Sequence, residues 1–335
     1  MKSVFTKVLQ IGVVVKDLDQ TMKVYADKYG IGPWAVYEFN KDTVADMSVG
    51  GKRIDYAMRL ALADIGGVQW ELIEPLDEIS DYARFLKEHG EGIHHVALDT
   101  ESYESALEFC KKNGLGSVQY GYWGSNFHYD YRDTRDDMKC IVELYGPEES
   151  FKWPEPVAVY PEKTMQGKPV FTKVLQIGVV VKDLDQTMKV YADKYGIGPW
   201  AVYEFNKGTV ADMSVGGKRI DYAMRLALAD IGGVQWELIE PLDEISDYAR
   251  FLKEHGEGIH HVALDTESYE SALEFCKKNG LGSVQYGYWG SNFHYDYRDT
   301  RDDMKCIVEL YGPEESFKWP EPVAVYPNLV QVKIT

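Results

Sequence analysis

The chain repeats itself. Residues 4–161 return as 170–327, an offset of 166 (170 − 4), and the two copies differ at a single position, Asp42 against Gly208. A sequence written twice builds one folded unit twice. The connecting segment 162–169, EKTMQGKP, is polar, carries Gly and Pro, and reads as a linker. About eight residues reach only about 25–29 Å when extended, so the copies must be neighbours. The expected arrangement is a covalent version of a homodimer, with a pseudo-two-fold axis between the halves. The expected domains are 4–161 and 170–327, joined by 162–169, with a tail at 328–335 (NLVQVKIT) that pairs as an edge strand or is a tag-like end. Such identity points to a recent duplication or a deliberate tandem fusion.

Composition narrows the function classes. With 36 Lys and Arg against 54 Asp and Glu, the net charge is −18, which argues against nucleic acid, whose phosphates need clustered cations, and against an anionic membrane surface. MKSVFTKVLQ lacks a signal-peptide pattern, and no apolar run approaches the roughly 18 residues that span a bilayer. Cys110, Cys140, Cys276 and Cys306 form no CxxC pair and read as reduced, buried thiols of a cytoplasmic protein.

Within one copy, TKVLQIGVVV (6–15) reads as a strand with Leu9, Ile11, Val13 and Val15 on one face and Val8, Gln10, Gly12 and Val14 on the other. A helix follows, with Asp17 as cap, Gln20 completing a capping box and Gly30 as stop. Strands are expected near 34–40, 53–63 and 67–74, then a short helix at 80–90 capped by Ser80. GIHHVALDT (92–100) is the next strand. A second amphipathic helix runs through Tyr103, Ala106, Leu107 and Cys110 to Gly114, and strands follow near 117–123, 126–132 and 138–145. Each copy therefore reads as strand–helix–three strands, twice. The class is α+β: tandem βαβββ modules, four in the chain, with helices on one face of mostly antiparallel sheets.

Four positions correspond between modules. Gln10 and His95 lie in the first strands of the two modules, and Glu71 and Glu143 lie in the middle of their last strands, GVQWELIEP and KCIVELYGP. A carboxylate in the centre of an apolar strand is costly to bury unpaired. Gln10, Glu71, His95 and Glu143 could converge on a divalent metal, as could Gln176, Glu237, His261 and Glu309 in the second copy. One amide oxygen, one imidazole and two carboxylates suit Zn²⁺, Ni²⁺, Co²⁺, Mn²⁺ or Fe²⁺, one ion per repeat. The plainer readings are strand Glu residues on a wet sheet face and a hydrogen-bonded structural His.

The stretches LQIGVVVKDLDQTMKVY, ELIEPLDEISDYARFLKEHGEGIHHVAL and CIVELYGP resemble the vicinal-oxygen-chelate (glyoxalase) superfamily, and within it the methylmalonyl-CoA epimerase branch. The resemblance covers nearly all of each copy. It implies sheets cupped like half-closed barrels with the metal inside, held by the same four residues of each copy. The epimerase branch has His at the first ligand position and Gln at the second. Here those are Gln10 and Glu71, a set that resembles the ligands of animal-type glyoxalase I, although the surrounding sequence does not. Ring-cleaving dioxygenases of the superfamily use two His and one Glu, so the missing first His argues against that chemistry.

Around the site, the run QYGYWGSNFHYDYRD (119–133) reads either as an ordinary aromatic hairpin or as a substrate wall. His128, Tyr129 and Tyr131, with His294, Tyr295 and Tyr297, are its candidate substrate contacts, although strand parity forbids His128 and Tyr129 from pointing the same way. His94 is expected to be structural and to face the helices beside Val96 and Leu98, and His89 to be a cation at a helix C-terminus. Asp55 and Asp221 lie near where the resembled epimerases keep a second carboxylate; Asp55 equally suits pairing with Arg53 or Arg59.

The implied function is a metal-dependent epimerase, racemase or isomerase that moves a proton next to a carbonyl. Its expected small-molecule substrate is an acyl-CoA such as methylmalonyl-CoA or an aromatic ketone, with Glu143 (Glu309) as base and Glu71 (Glu237) or Asp55 (Asp221) returning the proton. The alternatives are a glyoxalase I-like lyase acting on a glutathione hemithioacetal and a non-catalytic small-molecule binder.

Overall fold

The computed structural model describes residues 2–124, 126–147, 151–162, 167–290, 292–314 and 316–327. The tail 328–335 and linker residues 163–166 lie outside the described residues. The first copy runs β1 (Phe5–Val14), α1 (Leu18–Val24, continued by a π-turn over Tyr25–Tyr29), β2 (Trp34–Phe39), β3 (Val44–Val49), β4 (Lys52–Arg53), β5 (Met58–Ile65), β6 (Val68–Pro75) and α2 (Asp81–His89). It continues with β7 (Gly92–Thr100), α3 (Tyr103–Lys112), β8 (Ser117–Trp123), β9 (Phe127–Arg132), a short α4 (Arg135–Met138), β10 (Ile141–Pro147) and β11 (Ala158–Tyr160). The second copy has the same order, except that its first helix is continuous over Leu184–Tyr195.

The helix starts follow the capping chemistry. Asp17 accepts from the Gln20 backbone N–H at 2.9 Å, Ser80 from Ala83 at 3.2 Å and Ser102 from Ser105 at 3.1 Å. Each copy forms one 11-stranded sheet, in the first copy ordered β11-β2-β5-β6-β1-β7-β10-β9-β8-β3-β4. Two four-stranded modules meet where β1 pairs antiparallel with β7. The β3–β4 hairpin leaves the first module and adds to β8, at the far edge of the second.

One face of the sheet carries Ile11, Val13, Val96, Leu98, Val142 and Leu144, in a core that spans both copies. The other face carries a separate cluster that includes Val14, Ile73, Tyr82, Tyr129 and Tyr131. Strict alternation along β1 fails at Val8, which joins Ile11 in the inter-copy core. The cause is a β-bulge between Val8 and Gln10, which shifts side-chain direction by one residue.

The copies pack reciprocally. Tyr25 Oη donates to the Met304 carbonyl at 2.7 Å, and Tyr191 Oη to the Met138 carbonyl at 2.8 Å. Tyr29 donates to Asp303 and Tyr195 to Asp137, both at 2.7 Å, and Lys28 and Lys194 pair with the same two carboxylates. Residue i meeting j while j meets i is the signature of an isologous, two-fold contact. Among the described residues, no helix is long and apolar enough to cross a membrane.

Candidate metal centre

Gln10, Glu71, His95 and Glu143 come from β1, β6, β7 and β10, which are four adjacent strands at the middle of the sheet. The register sets them in two rows. Glu71 and His95 both lie opposite Gly12, and Gln10 and Glu143 both lie opposite Ala97. The four side chains project from the face opposite the inter-copy core and converge. His95 Nε2 is 3.2 Å from Gln10 Oε1, 3.4 Å from Glu71 Oε2 and 3.1 Å from Glu143 Oε2. Gln176, Glu237, His261 and Glu309 repeat these distances in the second copy. Each site is assembled within one copy.

This convergence fits a cation. Glu71 and Glu143 are 5 % and 3 % exposed, and their Oε2 atoms share the one His95 Nε2, at 3.4 and 3.1 Å, a costly arrangement for two buried carboxylates. One ligand atom from each of Glu71, His95 and Glu143 can be chosen so that all lie within 4.8 Å of one another, and the same holds for Glu237, His261 and Glu309. The Gln10 amide turns its oxygen toward the carboxylates while its nitrogen donates to Gln69 Oε1 at 2.7 Å. In the second copy, turning the Gln176 amide over would let its nitrogen donate to Glu237 Oε2 at 3.2 Å and Glu309 Oε2 at 3.0 Å. Two buried Glu/His/Glu groups can thus hold a metal ion.

Electrostatics agree. Burial lowers the affinity of His95 for a proton, but Glu143 and Glu71 beside it more than offset this and hold its pKa up at about 9. Burial pushes Glu143 up to about 7 against the opposing pull of His95. His94 is pushed down to about 4 by burial, which outweighs its contact with Asp81.

His94 packs against a helix, as expected, but not beside Val96 and Leu98, which lie in the inter-copy core. Val13 pairs with Ile93 and Gly12 with His95, so His94 is the extra residue of a bulge in β7. The bulge turns it toward α2, where its ring lies 5.1 Å from Tyr82 and 5.2 Å from Phe85. Its Nδ1 is 3.0 Å from His95 Nδ1 and its Nε2 is 3.0 Å from Asp81 Oδ2. His89 ends α2, its ring tilted against Phe85 at 5.0 Å.

Tyr129 and Tyr131 line the site cavity with Phe39, Met58, Leu60, Leu62, Trp123, Phe127, Tyr145 and Trp153. The cavity is small, about 30 Å³. His128 does not reach it. Parity sends its ring to the other face of β9, where it stacks on Tyr103 and Tyr122 and bonds Tyr120 Oη at 2.8 Å; His294 does the same with Tyr269, Tyr288 and Tyr286. Asp55 and Asp221 are exposed in the irregular segment after the short hairpin, and neither lines a site cavity. Arg53 pairs with Asp46, and Arg59 with Asp19 and Glu74. Two residues beyond the sequence-derived set belong to the site. Gln69 and Tyr145 share strand faces with Glu71 and Glu143, two positions away, and Gln69 Oε1 accepts from both Gln10 and the Tyr145 hydroxyl (3.4 Å).

A sequence profile of the Glyoxalase/Bleomycin resistance protein/Dioxygenase superfamily matches residues 9–128 and again 175–294. Among solved structures, a variant of 4-hydroxymandelate synthase from Streptomyces coelicolor superposes with a TM-score of 0.62 at 14 % identity, over 94 % of each chain. A xylose isomerase-like TIM barrel/4-hydroxyphenylpyruvate dioxygenase fusion protein superposes at 0.56 and 13 % identity, over 96 % of this chain and 50 % of that one. Methylmalonyl-CoA epimerase from Mycobacterium tuberculosis aligns over 45 % of this chain and 93 % of its own, at 25 % identity and a TM-score of 0.35. No curated protein matches the chain in sequence. The profile matches span more than half of the chain and fall once in each repeat. The chain belongs, in both of its halves, to the Glyoxalase/Bleomycin resistance protein/Dioxygenase superfamily.

Proposed function

We propose that each repeat is a metal-dependent isomerase, a racemase or epimerase that moves a proton on the carbon beside the carbonyl of an apolar, aromatic ketone. The observation that carries this reading is the pair Glu71 and Glu143, buried carboxylates that converge on His95 Nε2 beside a cavity walled by aromatic and aliphatic side chains. A divalent ion held by Gln10, Glu71, His95 and Glu143 would supply Lewis acidity to the substrate's carbonyl oxygen.

The remaining work falls to the chain's own groups. Glu143, at the centre of the cluster, is placed to take and return the proton. Glu71, across the cluster, carries the second carboxylate oxygen that a two-base exchange requires. Asp55 is too remote to take that part. Phe39, Trp123, Phe127 and Trp153 would offer flat apolar surface to a ring once these walls part to enlarge the cavity.

Among the described residues no Lys or Arg lines the cavity, so the polyanionic tail of an acyl-CoA and the two carboxylates of a glutathione adduct find no counter-charge there. That favours the ketone over both. The donor set holds a single imidazole, because His94 turns its Nδ1 to His95, whereas two His and one carboxylate characterise iron oxygenase sites.

Incubating aromatic ketones bearing an α-hydrogen with metal-loaded protein in D₂O tests the reading. Deuterium is expected at the α-carbon, and Glu143→Gln combined with Glu309→Gln should abolish its entry. An absence of exchange across a panel of such ketones and acyl-CoAs would defeat the proposal.

A further inference from the structure

His94 and Asp81 have no place in the chemistry above, yet both are buried and both sit behind the imidazole that faces the metal centre. Asp81 is the first residue of α2, a position that favours a negative charge. Its Oδ1 is paired with Arg84 and its backbone N–H donates to Gln119 Oε1 at 2.8 Å. Its Oδ2 lies 3.0 Å from His94 Nε2, and His94 Nδ1 lies 3.0 Å from His95 Nδ1. Asp247, His260 and His261 form the same chain at the same two distances.

Hydrogen-bond valence then fixes every proton. An ionised carboxylate only accepts, so His94 Nε2 carries the hydrogen. A neutral imidazole has a single N–H, so His94 Nδ1 is bare and must accept. His95 Nδ1 is therefore a donor, and Nε2, once it gives up its proton, is the nitrogen whose lone pair can face Gln10, Glu71 and Glu143. A direct carboxylate on His95 Nδ1 would fix the same tautomer through one link; here two imidazoles transmit it. The bulge that places His94 and His95 on the same side of β7 exists in both repeats, and without it the two Nδ1 atoms could not meet.

We infer that Asp81 and His94, with Asp247 and His260, are positioning residues that hold His95 and His261 in the tautomer and ring orientation needed to ligate a metal through Nε2. The inference rests on the metal reading above for its consequence, but its geometry stands apart from it. Loss of a partner that orients a ligating His commonly costs 10–100-fold in metal affinity.

The test uses the full chain and two readouts. In ¹⁵N-histidine-labelled, metal-free protein at neutral pH, long-range ¹H–¹⁵N spectra should show His94 and His260 protonated on Nε2 and bare on Nδ1; the opposite tautomer would overturn the inference. This arm needs no metal and no substitution, so it remains decisive even where the variant fails to fold or the wild type fails to bind metal. In Asp81→Asn with Asp247→Asn, Arg84 and Arg250 keep the amide oxygen and the amide N–H₂ faces His94 and His260, reversing the tautomer instruction. Co²⁺ affinity, measured by competition with a chromophoric chelator, should fall about 10–100-fold with thermal stability nearly unchanged. A folded variant that binds Co²⁺ as tightly as wild type would contradict the inference. Wild-type protein with no affinity for Co²⁺ would instead defeat the metal reading.

Discussion

Gly12 stands opposite His95 across the β1–β7 pairing, and the imidazole occupies the space a side chain at Gly12 would need: a Cβ built there would lie 2.0 Å from His95 Cε1. Gly178 relates to His261 in the same way, at 1.9 Å. Gly12→Ala with Gly178→Ala should displace both rings. Divalent-metal affinity measured by calorimetry is expected to drop at least tenfold, and stability by about 1–3 kcal/mol through overpacking. Unchanged affinity would mean that the ring position is unimportant.

Proton and metal compete for the same nitrogen. In metal-free protein the His95 pKa is raised from 6.5 to about 9, so its contribution to stability is complete below pH 6.5 and is lost as pH rises through 9. Glu143, raised from 4.5 to about 7, weakens the fold between those values and adds no further change above pH 7. Between pH 7 and 10 the metal-free protein should therefore lose stability, at most about 1.4 kcal/mol per pH unit per site. Metal affinity should rise with pH over the same range, reaching a plateau above about 9. Parallel thermal melts with and without Zn²⁺ read both trends; curves of the same slope would contradict the competition.

Trp153 closes the first cavity beside Trp123 and Phe127, with ring centroids 5.6 and 5.9 Å away, while remaining 45 % exposed. Trp153→Ala with Trp319→Ala should raise KM for an aromatic ketone about fivefold, corresponding to roughly 1 kcal/mol of lost ring contact. Because neither indole touches the ligand atoms, kcat should change less. Steady-state kinetics separate the two, and an effect confined to kcat would place the tryptophans in the chemistry instead.

The repeats should unfold as one body. Asp137 and Asp303 each receive a tyrosine hydroxyl and a lysine from the opposite copy. Replacing both by Ala leaves those donors unpaired, at an expected cost of about 1–3 kcal/mol each. Urea denaturation should show a lower midpoint, and two separated transitions would mark the halves as uncoupled.

Much of this was legible in the sequence because side-chain direction in strands has a period of two. Gln10, Glu71, His95 and Glu143 could be set in the middles of first and last strands from their apolar neighbours alone, and the capping residues Asp17 and Ser80 marked two of the helix starts. What escaped notice involved departures from regularity or long-range pairing. The bulges in β1 and β7 misassigned Val8 and His94, since nothing local marks where an extra residue enters a ladder. The β3–β4 hairpin was missed and the following strand began five residues early, although Gly50–Gly51 is a turn signal. VADMSV is short and its partner, β8, is far away in sequence. The three-residue β11 is likewise held only by β2. Gln69 and Tyr145 were readable, since each shares a face with a ligand position two residues away.

The central claim is that four side chains in each repeat bind one divalent ion. Equilibrium dialysis of the full chain against Co²⁺, followed by elemental analysis, tests it most directly. Wild-type protein should retain two ions per chain, Glu71→Gln with Glu143→Gln should retain one, and the further changes Glu237→Gln and Glu309→Gln should leave none. A wild type that retains no ion, or a fourfold variant that retains as many as the wild type, would contradict the account.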